Sequence, residues 1–360
     1  MFIYLFLIFI SAIFTIANRK RQVYISVALM AFMMLMCGLR GEYVGTDTTN
    51  YMGYVYGSYL GRSFGFVYEF LRFISLSIGG NPSIFLMLMA ILTYVPLALL
   101  IAKESKAPVL SVLLYMVATG LFFLETFNIA RQSIAIVYVA WAAFFLVRKN
   151  YIWSLVFFAI SFCFHPYVFP FAIMYGLCRV DAKELLVRGA LIISFIIGLI
   201  GVLDQINEML ELMYVLTEGS ESVLVEHLGK YSDWDSTANF SLIGKMSHMM
   251  PITLLCWFTY DKRHSTDDIY YKMMLVGAVV TNLFVSVQFC ERIASTFTLA
   301  QILAVPSALE YLGRTRREWV MLLLVAITAL YIYNLRSMGM ANNIYRDYPV
   351  PYKTCFEKNR

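Results

Sequence analysis

Residues 108–147 read PVLSVLLYMVATGLFFLETFNIARQSIAIVYVAWAAFFLV, and the charged residues in this run are Glu125 and Arg131 alone. Lys103 and Lys106 precede it, and Arg148-Lys149 follows it. A helix rises about 1.5 Å per residue, so a hydrocarbon core about 30 Å thick takes about 20 apolar residues to cross. The run is long enough to cross twice, out and back, with its turn near Phe127. Lysine and arginine collect in the loops that stay inside. That puts the turn, and Arg131 with it, on the outer side. A guanidinium in the bilayer costs free energy, roughly 2.5–3.5 kcal/mol at full depth and less near the surface. An anionic group of a substrate would offset that cost.

The same pattern runs from end to end. The chain is 60% hydrophobic and 14% charged, against about 25% charged for a soluble domain, and its mean hydropathy is +0.70. The expected fold is all-α: a polytopic transmembrane protein, one domain over 1–360. Six basic clusters punctuate it: Arg19-Lys20-Arg21, Lys103/Lys106, Arg148-Lys149, Arg179/Lys183/Arg188, Lys262-Arg263 and Arg314/Arg316/Arg317. With all six inside, a pair of spans fits between neighbours, which gives about twelve helices (roughly 10–14) and both termini outside. The expected spans are 2–17, 23–39, 82–102, 108–125, 131–147, 151–164, 167–178, 189–203, 241–259, 269–287, 294–311 and 319–334. The first is read as a helix, because Met1–Ala17 lacks the basic start and small-residue cleavage site of a signal peptide.

Two long outer segments remain. Residues 40–81 carry a polar, glycine-bearing stretch, and 204–240 hold eight acidic residues against Lys230 alone. Residues 204–216 read as an amphipathic helix on the outer surface. The net charge of +5 lies in the inner clusters, so it reports topology and gives no reason to expect nucleic acid. Cys290 and Cys355 both fall outside and could form a bridge; the six cysteines have no zinc spacing.

Depth follows from the same arithmetic. Only 29 residues separate Lys149 from Arg179, whereas two full crossings need roughly 40. This hairpin must turn short of the surface, at Phe164-His165-Pro166, and irregular backbone at that depth is tolerated only in protein or beside a wet cavity. His165 is expected at the floor of an outward cavity. The hairpin 269–312 is expected to turn near Glu291-Arg292.

The outer turns thus hold Asn128, Arg131, Gln132, His165, Glu291 and Arg292. The segment Arg40-Gly41-Glu42-Tyr43-Val44-Gly45-Thr46-Asp47-Thr48-Thr49-Asn50-Tyr51 joins them. Arginine suits phosphate because its planar fork donates two parallel charge-assisted hydrogen bonds, so Arg131 and Arg292 are candidates to grip a pyrophosphate. Each could instead pair with a neighbouring carboxylate, Glu125 or Glu291. His165 could be a general base, a donor to a hydroxyl or phosphate, or a satisfied interior histidine. Glu42 and Asp47 are the other candidate bases, although Asp47 and Thr48 could simply cap a helix. Asp233-Trp234-Asp235 resembles a metal-binding pair, a pattern common by chance.

These motifs resemble the EpsG/Wzy-like polysaccharide polymerases. The matching pieces are Arg40, then Gly45-Thr46-Asp47-Thr48-Thr49-Asn50-Tyr51, then Asn128-Ile129-Ala130-Arg131-Gln132, then Phe164-His165, then Arg292-Ile293. Tyr167 stands where that family often has a small hydroxyl residue. The resemblance implies a bacterial inner-membrane glycosyltransferase of GT-C-like architecture with its site facing the periplasm. It implies the joining of oligosaccharide repeat units carried on undecaprenyl pyrophosphate into O-antigen or exopolysaccharide, with no cofactor and no essential metal. It also implies membrane lipid and a chain-length regulator protein as partners. On this reading Arg131 and Arg292 hold the departing pyrophosphate, and His165 orients or deprotonates the acceptor. Asp47 and Glu42 bind sugar or serve as base, Arg40 is a further phosphate contact, and Asn128, Gln132 and Glu291 bind substrate. A lipid-linked sugar flippase would need polar residues through both leaflets, and here they gather on one side. A membrane acyltransferase on the same glycans is the other rival.

Overall fold

Each apolar run between basic clusters is helical in the computed structural model, which describes residues 1–58, 64–202, 241–262, 264–265, 268–341 and 349–357. The first half comprises α1 (Phe2–Phe14), α2 (Arg19–Gly38), α3 (Thr48–Tyr56), α4 (Phe66–Ser77), α5 (Pro82–Glu104), α6 (Pro108–Val117), α7 (Phe122–Asn128), α8 (Ala130–Val147) and α9 (Tyr151–Phe164). A 3-10 segment (Pro166–Ile173) follows, then α10 (Met174–Leu177), α11 (Glu184–Ile200), α12 (Leu242–Thr259), α13 (Ile269–Leu283), α14 (Gln288–Thr298), α15 (Gln301–Ala308) and α16 (Arg314–Ala341). Polar residues set the starts. Asn18 caps α2 by accepting from the Arg21 N–H, and Asn81 caps α5 ahead of Pro82 in its first turn.

The protein is an all-α polytopic membrane protein, and not all of its twelve expected spans correspond to a single helix of full crossing length. Among the described residues four helices are long and apolar enough to cross, α2, α5, α8 and α16; α6 and α7 together make a fifth, bent by 54°. The cause of the bend is local. Gly120 and Leu121 both take left-handed backbone, at φ 96° and 42°, which ends one helix and restarts another. The expected span 294–311 is likewise divided between α14 and α15. The hairpin 269–312 turns at 284–287, so Glu291 and Arg292 lie inside the first turns of α14 rather than in the turn itself. The expected outer loop 40–81 contains two helices, α3 and α4. Residues 204–216 and 233–235 lie outside the described residues. Cys290 and Cys355 are free thiols.

The basic clusters meet at one end of the bundle. Arg19 donates to the Ser105 carbonyl, Lys106 pairs with Glu310 at 3.5 Å, and Arg148 pairs with Glu104 at 2.6 Å. Tyr270 donates to the same Glu104, Lys272 to the Cys178 carbonyl, Arg188 to the Trp257 carbonyl and Arg316 to the Tyr260 carbonyl. Helix C-termini carry unsatisfied carbonyls, and at this end they accept from the side chains of neighbouring spans.

At the other end the C-terminal tail folds back. Thr354 forms an antiparallel bridge with Arg40, Gly41 N–H donates to the Lys353 carbonyl, and Tyr352 Oη donates to the Met36 carbonyl. Beneath that clasp the 40–47 loop is pressed onto the end of α7. Gly45 has φ 90°, and a Cβ there would overlap the Phe127 carbonyl and come within 2.8 Å of Phe127 Cβ. The next N–H, Thr46, donates to Asn128 Oδ1 at 3.1 Å.

Gly45→Ala should therefore lift the loop off α7. A lower melting temperature in detergent, by several degrees for a loss of about 1–3 kcal/mol, is the expected result. An unchanged melting temperature would mean that the contact is slack.

Candidate active site

The loop fixes the first group. Arg40 is 1% exposed and donates from Nε to Thr48 Oγ1 at 2.8 Å and from Nη1 to the Cys37 carbonyl at 3.0 Å, with its guanidinium 5.8 Å from the centre of the Phe127 ring. It ties the end of α2 to the start of α3. Asp47 occupies the N-cap position of α3 but makes no capping hydrogen bond, so the capping reading of this residue does not hold. Its carboxylate instead lies near Asn50 and within electrostatic reach of Arg131, Arg292 and Arg40. Burial pushes the Asp47 carboxyl above its ordinary range, and the three arginines oppose that rise without cancelling it.

Arg131 comes from the first turn of α8. Its guanidinium lies over the Phe64 ring at 4.4 Å and the Tyr68 ring at 5.9 Å. It has no ion pair with Glu125, and no described carboxylate lies within salt-bridge distance of it. Cation–π contact supplies about 0.5–2 kcal/mol, less than the cost of a fully immersed guanidinium at roughly 2.5–3.5 kcal/mol. The cluster is thus built to hold the cation in place while leaving its fork open.

Arg292 is positioned from behind. Gln132, on the helix that carries Arg131, donates from Nε2 to the Arg292 carbonyl at 2.6 Å and to Ser295 Oγ at 2.9 Å. Ser295 donates to the same carbonyl at 2.7 Å. Gln132 thereby fixes the spacing between α8 and α14, and hence between the two arginines.

His165 closes the cluster from the end of α9. Its Nδ1 accepts the Tyr167 N–H at 3.3 Å, and Tyr68 Oη donates to the adjacent Phe164 carbonyl at 3.1 Å. Burial, then the charges of Arg131 and Arg292, push the His165 imidazole down to about 3. The ring is neutral at physiological pH, and with Nδ1 accepting, its proton is on Nε2. Its Nε2 is therefore a hydrogen-bond donor.

Four of the expected residues thus converge: Asp47, Arg131, His165 and Arg292. Asn128, Gln132 and Arg40 hold the frame around them. Glu42 lies elsewhere, in a groove between the 41–44 loop and the C-terminal tail. Glu291 lines a cavity of about 150 Å³ beside the cluster, together with Glu125. Glu125 lies within electrostatic reach of Glu291, Arg292 and Asp47, and it was absent from the expected site. The signal was present as an ionisable residue inside an apolar run, which is a functional hypothesis by default. Phe64 and Tyr68 were missed for the opposite reason, since aromatic residues in a membrane protein are too frequent to single out.

No curated protein and no solved structure matches the chain. The family comparison does: residues 23–354 match the EpsG family. The matched range takes in every residue of the cluster, the helices that carry them and the start of the tail that clasps Arg40. The chain accordingly belongs to the EpsG family, membrane-embedded proteins with a polysaccharide polymerase-like role.

Proposed function

We propose that this protein is a glycosyltransferase that polymerises oligosaccharide repeat units carried on undecaprenyl pyrophosphate, at the outer, periplasmic face of a bacterial inner membrane. One observation carries the reading: two arginines from different helices lie within electrostatic reach of the same neutral histidine and the same aspartate, and Arg131 has aromatic faces but, among the described residues, no carboxylate within salt-bridge distance. A diphosphate is the group that two guanidinium forks and an imidazole N–H would hold together. The gathering of the basic clusters at the far end of the bundle supports the outward orientation by the positive-inside rule.

In the reaction, a hydroxyl oxygen of the acceptor unit attacks the anomeric carbon of the donor glycan. The bond from that carbon to the pyrophosphate oxygen breaks, and its electron pair leaves with the lipid pyrophosphate. Arg131 and Arg292 stabilise the negative charge that develops there, and His165 donates its Nε2 proton as a hydrogen bond to a phosphate oxygen. The acceptor's proton passes to Asp47, whose raised affinity for protons suits a base. This assigns the base to Asp47, since the tautomer of His165 leaves its free nitrogen protonated. Glu42, in its separate groove, takes no part.

Arg131→Ala should reduce polymerisation by roughly 10²–10³-fold, the usual effect of removing one charge-stabilising donor, at normal protein level in the membrane. Glycan ladders from cells carrying the variant would stop at one repeat unit. A full ladder would sink the assignment. His165→Gln, which keeps an N–H donor, should retain more activity than His165→Ala; equal losses would count against a donor role.

Initial rates should also fall as pH drops through the raised range of the Asp47 carboxyl, above its ordinary 3.8. The sign is that of a base which must be deprotonated to work. Asp47→Asn should lower the rate and remove that acid limb. An acid limb unchanged in Asp47→Asn would move the base to another residue.

A further inference from the structure

The hairpin that turns at His165 is too short for the bilayer that its neighbours span. α9 starts at Tyr151, just after Arg148, which pairs with Glu104 at the inner end of α5. The return leg ends at Cys178, whose carbonyl accepts from Lys272, and Tyr270, in the same turn of α13, donates to Glu104. Both legs therefore start from one level at the inner end. α9 has 14 residues and rises about 21 Å. The return leg has 8 residues of 3-10 helix and 4 of α10, and at about 2.0 and 1.5 Å per residue it spans about 22 Å. α5, from the same level, has 23 residues and rises about 34 Å. The two legs agree, and their apex stops about 9 Å short of the far side of a hydrocarbon core about 30 Å thick. Arg131 stands at a similar height, about 24 Å above Val147 on α8.

That height would matter little if protein surrounded the apex. Among the described residues it covers one side only. Ser154, Ser161 and Phe164 are buried, with Ser154 donating to the Ala142 carbonyl and the Phe164 ring against Tyr138 on α8. Ile152, Val156 and Cys163 form an exposed stripe on the opposite side of α9, and Phe169 and Ile173 continue the exposed surface on the return leg. Pro166, at the apex itself, is exposed as well. The backbone there is irregular: His165 is extended between two helices of different kind, and Pro166 and Pro170 have no N–H to offer a carbonyl. Irregular backbone that faces lipid does not occur within the hydrocarbon region. A span that is too short is accommodated by a thinner bilayer, by snorkelling side chains or by oligomerisation, and tilting only shortens its reach. Residues 162–168 contain no lysine or arginine to snorkel. We propose that the outer leaflet thins against this hairpin, so that phospholipid headgroups and their water descend to the level of His165 and Arg131. The thinning does not depend on the polymerase reading. On that reading it has a use, since the pyrophosphate of a lipid-linked donor meets Arg131 and His165 without leaving the headgroup layer.

Cys163 is a native probe of the apex, about 18 Å above Tyr151. A thiol in hydrocarbon stays protonated and unreactive, whereas one among headgroups meets water and forms the thiolate that attacks a maleimide. The full-length protein would be placed in phosphatidylcholine nanodiscs of short, middle and long acyl chains and treated with a charged, water-soluble maleimide, with labelling of Cys163 read by peptide mass spectrometry. Ile91→Cys on α5, exposed at a comparable height of about 20 Å above Glu104, serves as the reference on a span of full length. In middle chains Cys163 should react at least about tenfold faster than the reference thiol, and its rate should fall as the chains lengthen. An unreactive Cys163, or one no faster than the reference, would place the hairpin in full-thickness hydrocarbon or under a second copy of the chain and overturn the proposal. A rate independent of chain length would overturn it too, because water would then reach the thiol through the protein. The chain-length series uses the unaltered protein, so it decides the matter even where Ile91→Cys folds poorly. None of these outcomes bears on the pyrophosphate assignment, which Arg131→Ala tests separately.

Discussion

The close approach of Gly45 to the backbone of Phe127 holds the outer end of this protein together. A loop that follows α2 is laid directly on the end of α7, and the Thr46 N–H reaches Asn128 beside it. Only a residue without a Cβ permits this distance, and only a glycine adopts its φ of 90° without strain. Everything near the cluster is registered to that seam. Arg40 lies beneath it and ties Cys37 to Thr48. Asp47 is two residues beyond Gly45, and Arg131 is four beyond Phe127. The tail from 349 to 357 covers the seam from outside by pairing with residues 39–41.

The fold was largely legible because a bilayer imposes one length scale. Apolar runs and basic punctuation located the helices that carry Arg131, His165 and Arg292. What stayed hidden were the breaks inside apolar runs. Val117 and Phe122 belong to different helices because Gly120 and Leu121 turn left-handed, and nothing in their hydropathy marks the change. The helices α3 and α4 were hidden as well, since their polar and aromatic residues read as an outer loop. The tail clasp depends on contacts more than 300 residues apart in sequence, such as Tyr352 to Met36, and no local pattern encodes them.

The candidate site was legible as a set of residue types and much less so as a set of roles. Arg40, Asn128 and Gln132 are polar residues in motif positions, as Arg131 and Asp47 are. Burial separates them. Arg40 and Gln132 face inward and are used by the protein's own backbone, whereas Arg131 faces aromatic rings that hold it without neutralising it. Glu125 reverses the case. It reads as a salt-bridge partner for Arg131, yet the two make no pair, and it lines the neighbouring cavity instead. Such distinctions arise from the rotation of a helix by a residue or two, which lies below the resolution of a periodicity argument.

The arrangement of charge gives the proposed reaction a direction. Positive charge is concentrated where Arg131 and Arg292 approach His165, and the side chains of Glu125 and Glu291 line the adjoining cavity. On the proposed reading, a group carrying negative charge is drawn to the first region. The neutral imidazole completes that logic. A protonated His165 would add a third positive charge near two arginines, and burial together with those same arginines keeps it neutral, leaving the cluster two fixed cations and a directional N–H, the set that the proposed pyrophosphate would meet.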